Sequence, residues 1–245
     1  MEHRRSSAYA AEFIGTFFLV FFICTILSLQ HGGNGLGTTD FAVIGFIHVF
    51  ALGMLIATLG GTSGAHFNPA VTITLTALRK LKPNDAVAYI VFQMLGGVAA
   101  ALVVKLVLKD EGSVVNYGAT GLSSFVGTDS GAFLCELIGT FVLMWAIMGT
   151  AVNERAERSW APWIIGGTLG MAVMAIGPLT GAGFNPARAF GPALVGDAFG
   201  GFGTFVYVYV LGPIVGALAA GILYTKLVLV DAPAGPGERP IDKLA

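Results

Sequence analysis

Hydrophobic residues run along this chain in long blocks rather than in alternation, and polar positions gather between the blocks. Apolar runs cover 9–29, 41–60, 85–108, 132–152, 161–176 and 203–230. Each is long enough, or nearly so, to cross a hydrocarbon core of roughly 30 Å as a helix. Two further apolar stretches are too short for that. They open at Asn68 and at Asn185, and the first ends near 78 at the basic cluster Arg79-Lys80-Leu81-Lys82-Pro83. The pattern predicts an all-α membrane protein of six transmembrane helices and two re-entrant half-helices.

Each short segment starts in the same way. Ser63-Gly64-Ala65-His66-Phe67-Asn68-Pro69-Ala70 returns as Gly181-Ala182-Gly183-Phe184-Asn185-Pro186-Ala187, followed by Arg188. Asn before Pro reads as an N-cap with proline in the first helical turn, where its missing N–H costs nothing. A helix that begins inside membrane-spanning sequence leaves orphan N–H groups and a partial positive charge at its tip. Irregular backbone at that depth must be buried in protein or line a wet cavity, so two such tips predict a pathway.

The halves repeat elsewhere too, with Ala11-Glu12-Phe13-Ile14-Gly15-Thr16-Phe17 answered by Cys135-Glu136-Leu137-Ile138-Gly139-Thr140-Phe141. The chain therefore divides into a first repeat over 1–108, a connecting loop over 109–130, a second repeat over 131–230 and a tail over 231–245 that reads as a disordered cytoplasmic appendage. Three crossings per repeat force the second copy to enter from the opposite side, giving an inverted repeat whose half-helix tips meet near the midplane. Gly96-Gly97, Gly166 with Gly170, and Gly212 with Gly216 offer small faces for close helix crossing.

Composition sharpens this picture. The 245 residues are 55% hydrophobic and only 11% charged, with mean hydropathy +0.80, which excludes an ordinary soluble domain. A net charge of −1 gives no reason to expect nucleic acid. Arg4, Arg5, Arg79, Lys80, Lys82, Arg155 and Arg158 fall at one set of span ends, and Lys105 with Lys109 at the other, which predicts that both termini are cytoplasmic. Cys24 and Cys135 lie in apolar runs and read as small core residues, with no metal site or cofactor implied. No nucleophile, base and oxyanion donor converge in the sequence, so an enzyme is not expected.

Glu12 and Glu136 are intramembrane carboxylates, each expected to accept hydrogen bonds from the backbone of a re-entrant loop rather than to relay protons. His66, two residues before Asn68, is expected to brace its loop. Asn68 and Asn185 are each expected to cap a half-helix and to offer an amide NH₂ to the path. Arg188 facing lipid would cost about 2.5 kcal/mol or more, so it should point into the wet path. In the loop over 109–130, Asn116 or Tyr117 could reach the outer mouth.

The doubled motif with the arginine after its second copy resembles the aquaporin, or major intrinsic protein, family over nearly the whole chain. His48-Val49-Phe50-Ala51-Leu52, Gly177-Pro178-Leu179-Thr180-Gly181 and Asn185 to Ala193 look most like its tonoplast-type subgroup. The resemblance implies a passive channel for water and small uncharged solutes, ammonia, urea, glycerol or hydrogen peroxide among them, that excludes protons and ions. It implies a homotetramer in a lipid bilayer, read here as the cell membrane. It also implies pore residues Asn68, Pro69, Ala70, Asn185, Pro186 and Ala187, and a selectivity filter of His48, Val173, Ala182 and Arg188. A packed histidine is the alternative for His48, Leu52 lies on the same face one turn on, and Val173 could equally face lipid or core. Three other functions compete: a glycerol facilitator, disfavoured by Ala189 and Ala193 where such proteins usually carry an aspartate and a basic residue; a secondary transporter built on the same kind of repeat; and a junctional protein with an occluded pore.

Overall fold

The computed structural model describes residues 2–31 and 40–229. The tail over 231–245 and most of the polar loop after the first span lie outside the described residues. Among those described, six helices are long and apolar enough to cross a membrane. They are α1 (Glu2–His31), α2 (Phe41–Ser63), α4 (Pro83–Val107), α6 (Asp129–Ile147, prolonged by a π turn Met148–Val152), α7 (Ala161–Thr180) and a sixth span, Phe202–Leu229. Two short helices start at the paired motifs, α3 (Pro69–Ala77) and α8 (Pro186–Val195). The connecting stretch is more ordered than a loop, holding helix α5 (Lys109–Ser113) and a 3₁₀ turn, Asn116–Gly118.

Helix ends follow from local chemistry. Asp40 caps α2 by accepting from the N–H groups of Ala42 and Val43, and Thr128 caps α6 through the N–H of Gly131. Spans α2 and α7 both stop at a glycine in the left-handed region, Gly64 (φ 88°) and Gly181 (φ 75°), each N–H returning to the carbonyl four residues back. That shared ending explains why α7 outruns the apolar block ending at 176. Pro178 sits within the helix near its end, and the stop comes only where Gly181 reverses the chain.

Packing repeats between the halves. Helix α1 lies along α4 as α6 lies along the sixth span, and α2 against α7 forms the central seam. Each half-helix packs on the third span of the other half, α3 on the sixth span and α8 on α4, so the halves interlock. Glycines set how closely these helices approach. A Cβ on Gly96 would fall 2.6 Å from the Phe13 carbonyl oxygen, one on Gly97 2.5 Å from that of Ala187, and one on Gly170 2.6 Å from that of Gly45. With lipid tails as apolar as leucine, such close backbone approach is a principal source of association between spans.

Two adjacent glycines of α7 make this testable. A Cβ on Gly166 would meet the Val49 carbonyl oxygen at 2.5 Å, whereas one on Gly167 would meet nothing within 4 Å. Gly166→Ala should lower the melting temperature in detergent, because backbone must move to accept the methyl. Gly167→Ala should leave it unchanged or raise it slightly, since alanine gains up to about 1 kcal/mol of helix propensity over glycine. Equal shifts would mean that the α2–α7 seam is slack at this level.

Candidate functional site

The loops after α2 and α7 cannot pair their own backbone groups. Ala65 and Phe67 in one, and Ala182 and Phe184 in the other, have φ between 47° and 53°, a region that non-glycine residues seldom occupy. The N–H groups so displaced turn toward a carboxylate. Glu12 Oε1 accepts from the Ser63 hydroxyl (2.6 Å) and the His66 N–H (3.0 Å), and Oε2 from the Phe67 N–H (2.7 Å) and Gln93 Nε2 (2.7 Å). Glu136 Oε1 accepts from the Thr180 hydroxyl (2.7 Å) and the Gly183 N–H (2.9 Å), and Oε2 from the Phe184 N–H (2.6 Å). Both glutamates are fully buried. A carboxylate suits the task because it only accepts and its charge strengthens each bond. The glycine one turn after each glutamate, Gly15 or Gly139, leaves room for the ring of Phe67 or Phe184, which occupies the place a Cβ would need.

His66 also lies in the first loop, its Nδ1 3.1 Å from the Thr72 hydroxyl and its ring edge-on to Tyr89. Gln93 Nε2 donates to that same hydroxyl at 2.9 Å. Sequence reasoning passed over Gln93, although an uncharged polar side chain within the apolar run of α4 was a signal that something buried needed a partner.

Each motif asparagine spends its side chain in two directions. Asn68 Oδ1 accepts from the Ala70 N–H (2.9 Å), and Asn185 Oδ1 from those of Ala187 (3.0 Å) and Arg188 (3.3 Å). The amide nitrogens cross between the halves: Asn68 Nδ2 donates to the Phe184 carbonyl (2.9 Å), and Asn185 Nδ2 to that of Phe67 (2.7 Å). Each NH₂ keeps one hydrogen beyond that bond, and both asparagines line a cavity of about 410 Å³. The prolines Pro69 and Pro186 open their helices at the first position, and Ala70 and Ala187 are completely buried behind them.

The larger cavity opens toward Lys80, Glu154 and Arg158, and a second, of about 330 Å³, opens toward residues 115–123. His48 and Arg188 line both. Ala182 borders the larger cavity only and Val173 the smaller, whereas Leu52 lines the larger one, a turn beyond His48. His48 Nδ1 lies 2.7 Å from the Ile44 carbonyl; since a carbonyl only accepts, Nδ1 carries the proton and Nε2 is left as an acceptor. Arg188 is buried, its Nη1 donating to the Gly118 carbonyl at 2.8 Å while Nε has no partner among the described residues. The connecting stretch thus reaches the mouth through the backbone of Gly118 and through Val115 and Ala119, not through the side chains of Asn116 or Tyr117. Neither Cys24 nor Cys135 lines either cavity.

The sequence profile of the family described as Major intrinsic protein matches residues 2–224. The chain belongs to that family. As a major intrinsic protein it is an integral, multi-pass membrane protein and a passive channel for water and small solutes, not an enzyme. Similar major intrinsic proteins include aquaporin AqpM of Methanothermobacter thermautotrophicus, 40% identical with 89% of this chain and 95% of the relative covered. Nodulin-26 of Glycine max is 37% identical with 91% and 78% covered. The fold matches that of the aquaglyceroporin from Plasmodium falciparum at a TM-score of 0.78 and 24% identity, covering 91% of this chain and 97% of that one.

The expected tonoplast-type affiliation is not supported, since the similar proteins are archaeal AqpM aquaporins and plant proteins of the nodulin-26 kind. The expectation rested on three short stretches, of which only part lines the cavities, whereas these similarities extend over most of the chain.

Glu136→Gln would turn one acceptor oxygen into a donor facing donors. A cost of about 1–3 kcal/mol is expected for the bond lost and the group left unpaired. Thermal unfolding in detergent should shift down and osmotic water flux should fall; if both stay at wild-type values, the loop holds without the carboxylate charge.

Proposed function

We propose that water and small neutral solutes move between the two cavities past His48 and Arg188, with Val173 and Ala182 completing the constriction. The observation that carries this reading is that His48 and Arg188 alone among these four border both cavities. Past the constriction, the remaining NH₂ hydrogens of Asn68 and Asn185 meet the oxygen of a passing water, turn both its hydrogens away and interrupt proton relay. The two half-helix tips and the Arg188 guanidinium oppose cations in the same passage.

The larger cavity is assigned to the cytoplasmic side, since Lys80 and Arg158 border it and basic residues favour that side. Both termini then face the cytoplasm, at the cell membrane. The chain is read as two inverted repeats, 1–108 and 131–230, joined by 109–130, with Glu12, Glu136 and His66 bracing the loops. Four protomers, each with its own path, form the assembly. The names of the relatives, aquaporins among them, support water as a substrate.

Breadth of substrate follows from the walls. His48 Nε2 and Arg188 Nε offer an acceptor and a donor, while Val173 and Ala182 are small and apolar, so a solute larger than water can pass without leaving buried polar groups unpaired. Stopped-flow on proteoliposomes should show water permeation together with ammonia and at least one of urea, glycerol or hydrogen peroxide. Val173→His should reduce solute flux more than water flux. Water movement with all four solutes at the lipid background would overturn the assignment of the constriction.

Thiol chemistry gives a separate test. With Cys24 and Cys135 off both cavities, mercurials should inhibit water flow little, and Ala182→Cys should make it sensitive. Strong block of the unmodified protein would place one of the native thiols on the path.

A further inference from the structure

We propose that Lys105 is a positioning residue for the constriction, fixing the carbonyl that holds Arg188; this rests on reading Arg188 as part of the filter. Lys105 lies in the last turn of α4, is exposed and lines neither cavity. Its ammonium nonetheless joins two elements that meet at Arg188. Nζ donates to the carbonyl of Val195 at 3.1 Å, and it sits 5.1 Å above the ring of Tyr117. Val195 is the last residue of α8, the helix that carries Arg188 in its first turn, and carbonyls at a helix C-terminus lack partners and favour a cation. Tyr117 directly precedes Gly118, whose carbonyl accepts from Arg188 Nη1 at 2.8 Å.

This turn needs holding. Asn116, Tyr117 and Gly118 have φ of 49°, 56° and 83° in succession, and such runs persist only where surroundings over-determine them. Cys24 backs Gly118, where a Cβ would fall 2.8 Å from the Cys24 Cα, and Gly196 lies so close to Asn116 that a Cβ there would meet its carbonyl oxygen at 2.8 Å. Both are contacts of shape. Lys105 is the charged tie between the turn and the far end of the helix bearing the arginine, so one cation sets the Gly118 carbonyl against the Arg188 guanidinium.

The full-length protein in proteoliposomes tests this through the solute-to-water permeability ratio, taken for whichever of urea, glycerol or hydrogen peroxide the unmodified protein passes, and the ion leak, with melting temperature measured alongside. Lys105→Met keeps the aliphatic stem and removes the ammonium. It should raise the ratio and the leak by about two- to fivefold, the strength of an exposed cation–π contact, at near wild-type melting temperature. Lys105→Arg, which keeps a cation over the ring and a donor for Val195, should retain wild-type values. A folded Lys105→Met protein with unchanged ratio and leak would overturn the proposal, as would failure of Lys105→Arg to retain them. Should Lys105→Met not fold, Tyr117→Leu removes the ring while sparing the bond to Val195, and it must produce the same rise. Arg188→Val separates this inference from the reading beneath it: an unchanged ratio and leak there would remove the filter reading itself. If Arg188→Val alters them and Lys105→Met does not, the positioning role alone fails. In the Arg188→Val background Lys105→Met should add nothing, and a further rise would show that Lys105 acts by another route.

Discussion

Backbone at membrane depth has no solvent to fall back on, and everything distinctive here depends on meeting that demand at two places. The chain breaks helical structure twice inside the bilayer, and each break exposes N–H groups that lipid cannot satisfy. Two buried glutamates take up those groups, with Ser63 and Thr180 placed to hydrogen-bond the same oxygens. Because the carboxylates sit on the first span of each half, the loops are tied to spanning helices and not to one another alone.

The asparagines then make the two breaks mutually dependent. Each loop supplies a Phe carbonyl for the amide of the other, so neither half-helix tip is complete without its counterpart. The braces are not identical: Glu12 gains an extra donor from Gln93, which also grips Thr72 in the first turn of α3. On the other side the tie to the surroundings runs through Arg188 and Gly118. The symmetrical frame therefore carries unequal ties, one more donor on Glu12 than on Glu136 and a bond from Arg188 to Gly118.

Much of this was legible in the sequence because membrane helices announce themselves by length and hydrophobicity, and because Asn68-Pro69 and Asn185-Pro186 mark helix starts by their own covalent chemistry. Positions of spans and half-helices followed from those two signals. What stayed hidden were partners contributed by remote segments. Nothing local in Phe67 or Phe184 says that its carbonyl receives an amide from the other half, and in the connecting loop the side chains of Asn116 and Tyr117 drew notice where the Gly118 carbonyl makes the contact. The end of α7 was missed because the apolar run stops at 176, whereas the helix continues past Pro178 to the left-handed Gly181. The subgroup expectation rested on three short stretches, and similarity over the whole chain points elsewhere.

The crossed amides also constrain how the protein is made. Asn68 finds its acceptor 116 residues later in the chain, so during synthesis from the N-terminus the first re-entrant loop leaves the ribosome before its partner exists. At roughly 5–20 residues per second the interval is on the order of ten seconds. Throughout it, Glu12 can already gather its own loop, since Ser63, His66, Phe67 and Gln93 all precede the connecting stretch. The first half is thus made with its brace but without its crossed amides, which wait for Phe184 and Asn185, and α3 meets its packing partner later still, when the sixth span is made.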